Sequence, residues 1–136
     1  MTSVSPLSDF LIVELGHNVA GPVGGQILAE LGATVIKVED PGKGDAARHW
    51  PPVKDGSSIV YKALNRSKSG VTVDFNNSSQ LTELKELIIQ KADAVIQNLR
   101  PGVVEKYGLD AETLRAEKPA LIYCNIGAYG AVGPMS

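Results

Sequence analysis

The sequence predicts an α/β protein built on a Rossmann-like parallel sheet with flanking helices, and three observations point there. Short apolar runs rich in β-branched residues alternate with stretches of helical periodicity along the 136 residues, which is the order of βαβ units. The first junctions carry turn chemistry, Asn18 to Pro22 and Pro41 to Gly44, as connections between such elements require. At 136 residues the chain has the size of one domain with a real core.

Phe10-Leu11-Ile12-Val13 opens the first strand, which runs to Leu15. Pro22 to Leu31 is the first helix, with proline in its first turn and Gly32 just past its end. Thr34 to Glu39 is the second strand and ends in a charged pair. This βαβ unit places ligands at the carboxyl ends of its strands. Asp40 to Ser57 contains Pro41, Gly42, Gly44, Pro51, Pro52 and Gly56, so it reads as a long loop without regular structure, a kind usually functional or disordered.

Ser57 to Leu64 makes two helical turns, and Gly70 to Phe75 is a strand. Ser78 or Ser79 caps a helix in which Leu81, Leu84, Leu87 and Ile88 recur at helical spacing. Ala94 to Asn98 is the next strand, Val103–Tyr107 and Ala111–Glu117 are two short helices, and Leu121 to Ile126 is the last strand. The alternation predicts a parallel sheet with right-handed crossovers. Gly127 to Ser136 leaves the last strand without a helix to cover it, which suggests a fragment, or one half completed by another chain.

Composition narrows the function classes. A formal charge of −2 with 21% charged residues argues against a nucleic-acid surface. Cys124 is the only cysteine, which excludes an intrachain disulfide and a cysteine-rich metal site and fits a reducing compartment. No signal-like start and no run of about 20 apolar residues is present. The expectation is a soluble cytoplasmic protein without a metal.

Candidate chemistry gathers at strand ends. Val19-Ala20-Gly21 precedes the first helix, where free N–H groups and the helix field suit a phosphate or a carbonyl oxygen; the plainer reading is that Gly21 and Pro22 only make the turn. Asn65-Arg66-Ser67-Lys68-Ser69 places two cations before a strand, open to a phosphate or to solvent. Asn98-Leu99-Arg100-Pro101-Gly102, with Lys106 beyond, follows a strand and favours binding. His17 reads as a structural or exposed loop histidine and not a base, and Cys124 as a buried small residue in an apolar strand. Asp45, Arg48 and Trp50 on the long loop are placed to line a pocket mouth.

Several motifs, taken in order, resemble the N-terminal part of the family III CoA-transferases. They are Ala20-Gly21-Pro22, Leu28-Ala29-Glu30-Leu31-Gly32-Ala33-Thr34-Val35-Ile36-Lys37-Val38-Glu39, Gly44-Asp45-Ala46-Ala47-Arg48, Asn65-Arg66-Ser67-Lys68-Ser69, Val73-Asp74-Phe75, the run from Ala92 to Leu109, and Tyr129-Gly130 with Gly133-Pro134. The group includes formyl-CoA transferase, the carnitine CoA-transferase (CaiB/BaiF) type and α-methylacyl-CoA racemase.

The resemblance implies a CoA-binding large domain, of which residues 1–136 are an incomplete N-terminal part, and interlocked homodimers in the full-length members. It implies acyl transfer between carboxylic acids through an aspartyl intermediate. That aspartate lies beyond Ser136, so the resemblance assigns no catalytic residue to this chain, which alone is expected to be inactive. The positions matching the family's CoA contacts are Val19 and Ala20, then Val73, Asp74, Phe75 and Asn76, then Asn98, Leu99, Arg100 and Lys106. One departure is Asp40, where formyl-CoA transferase carries an arginine on the nucleotide; Lys43 or Arg48 are the candidate substitutes. Two further readings stand beside the transferase. One is a racemase of the same family, and the other a truncated, non-catalytic homologue that binds CoA or a partner. A dimer or another association is expected.

Overall fold

The computed structural model describes residues 5–130 and 132–134. In chain order the elements are β1 (Leu11–Glu14), α1 (Ala20–Glu30), β2 (Thr34–Glu39), a 3₁₀ turn (Ala46–His49), β3 (Val53–Lys54), β4 (Ser57–Ser58), α2 (Ile59–Asn65), β5 (Ser69–Thr72), α3 (Ser78–Lys91), β6 (Ala94–Gln97), α4 (Val103–Lys106), α5 (Ala111–Glu117) and β7 (Ile122–Asn125). The sequence expectations at Met1 to Val4, and for the tail at Ala131, Met135 and Ser136, lie outside the described residues.

Five strands form a parallel sheet in the order β5-β2-β1-β6-β7. The chain winds outward from β1 through β2 to β5, then returns to the centre and builds β6 and β7 on the other side. The reversal falls between β1 and β6, where Val13 stands opposite Val95, and the crevice above such a reversal is where open α/β sheets hold ligands. The α/β class and the parallel sheet expected from the sequence are both present.

Strand alternation sorts the core into two layers. On one face Val13, Leu15, Val38 and Val95 pack with Leu84 and Ile88 of α3, Val104 of α4 and Leu114 of α5. On the other, Ile12, Val35 and Ile96 pack with Ala29 of α1. Small residues bring α1 close to the sheet. A Cβ on Gly21 would stand 2.8 Å from the Cα of Gly16, and one on Gly25 would stand 1.9 Å from Glu14 Oε2.

The structure corrects several boundaries. Helix α1 starts at Ala20 with Val19 as its N-cap, so Gly21 and Pro22 lie inside the first turn. Proline is tolerated there because the N–H it lacks has no partner within the helix. Helix α3 is capped by Asn77 and not by Ser78 or Ser79. The Asn77 backbone is extended, and its Oδ1 accepts from the N–H groups of Ser79 at 3.1 Å and Gln80 at 3.2 Å. The stretch from Asp40 to Ser57 is not structureless. It holds the 3₁₀ turn and a hairpin of β3 with β4, closed by Asp55 at φ 51° and Gly56 at φ 72°, the two left-handed residues that a tight hairpin needs. Strand β5 ends at Thr72, one residue before its backbone is last held, by Val73 N–H donating to Glu39 O at 2.9 Å. Cys124 is exposed, contrary to the expectation of burial, because β7 is an edge strand on which Ile122, Cys124 and Asn125 are all exposed.

Candidate functional site

The peptide groups that follow β1 are held from several directions. Lys37 Nζ of β2 donates to Gly16 O at 2.7 Å. Asn98, just after β6, accepts from His17 N at 2.8 Å and donates to His17 O at 3.0 Å. Asp45 Oδ1 accepts from Asn18 N at 2.9 Å, and Asn18 takes a φ of 62°. Gly16 and Gly21 are glycine where their Cα atoms nearly touch, with Asn98 wedged beside both.

These bonds rest on a buried ionic cluster. Lys37 Nζ stands 3.0 Å from Glu14 Oε1 and 3.0 Å from Asp45 Oδ2, with side-chain exposures of 2%, 0% and 0%. Lys68 Nζ meets Glu14 Oε2 at 2.6 Å and donates to Pro22 O and Asn65 Oδ1. Two lysines against two carboxylates leave the cluster neutral, as buried charge must be. Burial lowers the Lys68 pKa, and Glu14 opposes that shift. Burial alone would raise the Asp45 pKa, but the Ala47 and Asn18 amides and Lys37 outweigh it and hold the carboxyl below its ordinary range.

Asp45 N–H in turn donates to Glu39 Oε2, joining a second cluster. Arg48 grips Glu39 through Nε at 2.7 Å and Nη2 at 2.8 Å, and Tyr61 OH donates to Glu39 Oε1 at 2.6 Å. The Arg48 guanidinium also lies 4.0 Å from the centre of the Tyr61 ring. Burial pushes the Glu39 carboxyl up, yet the bonds from Arg48, Tyr61 and the Asp45 amide bring it down to about 2.

Above the reversal of the sheet lies a cleft of about 220 Å³ walled by Leu15, Val38, Val73, Phe75, Leu99 and Tyr107, with His17, Asp40 and Asn76 adding polar groups. Phe75 and Tyr107 meet at 5.1 Å between ring centres, so the walls are aromatic as well as aliphatic. Along the same edge a wider groove of about 680 Å³ runs over His17, Asn18, Asp40, Lys43, Gly44 and His49. Burial holds the His17 pKa below its usual value, partly offset by Asp45, so the ring is neutral near pH 7.

The cleft unites four of the residues expected from the sequence, Val73, Phe75, Asn76 and Leu99. Arg100 lies next door, lining a second hollow of about 200 Å³ with Leu99, Gln97 and Asn125. Lys106 is exposed on α4 with its ammonium 4.9 Å from the centre of the Tyr107 ring. Asn98 spends its amide on His17. The Asp74 carboxylate is turned to its own turn, accepting from Asn76 N at 2.8 Å. Val19 and Ala20 are exposed at the start of α1.

Of the cations before β5, Arg66 pairs with Glu30 and Lys68 is buried in the cluster, so Lys68 does not face a phosphate. Arg48 is held by Glu39 and Tyr61; both it and Lys43 border a hollow beside Asp40, and Lys43 also lines the wider groove. Sequence reasoning missed Leu15, Val38, Val103 and Tyr107, which read there only as core positions. Leu15 and Val38 lie at the carboxyl ends of β1 and β2, whereas Val103 and Tyr107 begin and cap α4, a helix that only the fold brings to the cleft. Among the described residues no group of His, Cys, Asp and Glu is set to hold a metal, and no helix is long and apolar enough to cross a membrane.

A five-stranded parallel sheet flanked by helices, with a cleft at its winding reversal, defines a Rossmann-like α/β domain. Residues 7–136 match CoA-transferase family III, and the chain belongs to that family. It is 42% identical over 136 residues to the succinate–glutarate CoA-transferase of Agrobacterium fabrum, covering 95% of this chain and 34% of that protein. The human succinyl-CoA:glutarate CoA-transferase is 37% identical over 137 residues, covering 100% of this chain and 31% of that protein. The solved structure of a CaiB/BaiF family protein from Brucella suis superposes with a TM-score of 0.88 at 43% identity, over 96% of this chain and 35% of that one. The chain thus spans about a third of the length of the relatives it matches.

Proposed function

We propose that this chain holds coenzyme A for a cytoplasmic acyl-CoA transferase of family III. The observation that carries the reading is the cleft at the sheet reversal, where Val73, Phe75, Asn76 and Leu99 converge with Tyr107 and His17. An adenine ring fits a cleft with walls of this kind, stacking on Phe75 with Tyr107 packed beside it, while its polar edge meets Asn76. The phosphates then follow the groove past Lys43, which supplies the cationic side that Asp40 does not.

In this reading the acyl transfer runs through an aspartate beyond Ser136, and choice of acid lies outside residues 1–136. The relatives support that division. They are named for different acids, glutarate in Agrobacterium fabrum and oxalate in Acetobacter aceti, yet each aligns with this same segment. The named relatives being transferases favours transfer over racemisation.

Calorimetric titration with CoA tests the assignment. The protein is expected to bind CoA, and Phe75→Ala to weaken binding about ten-fold, the order expected for one lost base–aromatic stack of about 1–3 kcal/mol. Binding that ignores both Phe75→Ala and Leu99→Arg would place CoA elsewhere. No binding by the folded protein would remove the ligand assignment.

A further inference from the structure

Lys37 and Glu39, on either side of the cleft residue Val38, and Gly44-Asp45 with Arg48 do not line the cleft itself. We propose that Lys37 and Asp45 are positioning residues that fix the turn Gly16–Asn18 at the rim of the cleft, so that bound CoA meets a preformed wall. The inference rests on the CoA reading of that cleft.

Two consecutive peptide groups are each held at both ends by side chains from other elements: Gly16 O by Lys37 and His17 N by Asn98, then His17 O by Asn98 and Asn18 N by Asp45. Loop turns ordinarily satisfy themselves through nearby backbone or water, and this one is gripped by buried groups instead. Asn18 sits at φ 62°, a left-handed conformation that a non-glycine residue keeps only where its surroundings enforce it.

The grip is itself rigid. Lys37 is shared between Glu14 and Asp45, and Asp45 is fixed on its other side by Ala47 N at 2.9 Å and by its own N–H on Glu39. Buried ion pairs of this kind add little net stability compared with apolar packing. What this one does is set a geometry: the ring of His17 enters the cleft, and Asn18 borders the groove. Because the cluster is neutral, it holds the rim without adding a net charge where phosphates approach.

The test combines CoA titration with amide hydrogen exchange. Asp45→Ala is expected to weaken CoA binding about ten-fold, the kind of loss that small misplacement of a binding wall produces, and to speed exchange at the His17 and Asn18 amides. Asp45→Asn keeps an oxygen for Asn18 and Ala47 but sets an amide against Lys37 and leaves the buried cluster with an excess positive charge, so it should lower the melting temperature while losing less affinity than Asp45→Ala. Ile12→Ala, in the core layer between the sheet and α1 and outside the lining of the cleft, serves as the stability control and should leave CoA affinity and both amides unchanged. If Asp45→Ala lowers the melting temperature but leaves affinity and exchange as in the parent, or if the control weakens CoA equally, the positioning role is overturned while the CoA site stands. If the parent protein does not bind CoA, the CoA reading fails first and the role proposed for Asp45 falls with it.

Discussion

Gly25 is a residue whose side chain must be absent. A Cβ there would stand 1.9 Å from Glu14 Oε2, and Glu14 is fully buried with Lys37 and Lys68 on its two oxygens. Gly25→Ala is therefore expected to destabilise by about 1–3 kcal/mol through overpacking, despite alanine's better helix propensity, a loss that urea denaturation would read. Glu39 carries a pH signature. Its carboxyl titrates at about 2 in the folded chain against an ordinary 4.5, so the stability it provides is whole above pH 4.5 and drains away as pH falls toward 2. Denaturation midpoints followed down that range should fall in the parent and flatten in Glu39→Gln, which starts lower. Equal acid slopes in the two proteins would show that another carboxylate governs the transition.

At the scale of elements, α3 depends on a cap the sequence only half revealed. Asn77, Ser78 and Ser79 are three adjacent residues with capping side chains, and only the backbone shows that Asn77 holds the position. Asn77→Ala should cost about 1 kcal/mol, with Ser78→Ala costing less, as thermal melts would show. The same contrast explains what was legible. Strand β2 was placed residue for residue, because Thr34 to Glu39 is β-branched and lies between Gly32 and Pro41. The meaning of Lys37 was not legible. A lysine near a strand end reads as solvated, and its burial follows from Glu14 of β1, Gly16 after it and Asp45 before the 3₁₀ turn closing over it, contacts that no local pattern announces. The hairpin at Asp55-Gly56 was legible and overlooked, since the surrounding prolines masked a strong turn signal. The cleft residues Val73, Phe75, Asn76 and Leu99 came from resemblance, whereas Tyr107 and Val38 needed the fold.

At the scale of the whole molecule the two sheet edges differ. Strand β5 ends the sheet on one side with Ser69, Gly70, Val71 and Thr72, largely polar or small, while β7 ends it on the other with Ile122 at 61% exposure beside Cys124. An edge strand offers unpaired N–H and C=O groups to any second strand, and apolar side chains on it remove the usual deterrent. Charge does little to oppose this, since the chain carries a net −2. The 136-residue chain expressed alone should therefore associate through β7, and sedimentation velocity should show a mass rising with concentration above 14.4 kDa. Ile122→Lys places a charge on the edge and should move the distribution back toward the single chain without changing the melting temperature, because Ile122 contributes little to the core. A parent that stays at 14.4 kDa across the range would show that β7 is already protected by the residues that follow it. A variant that still associates would move the contact to the outer face of α1, where Val19, Ile27 and Leu31 are each more than two-fifths exposed.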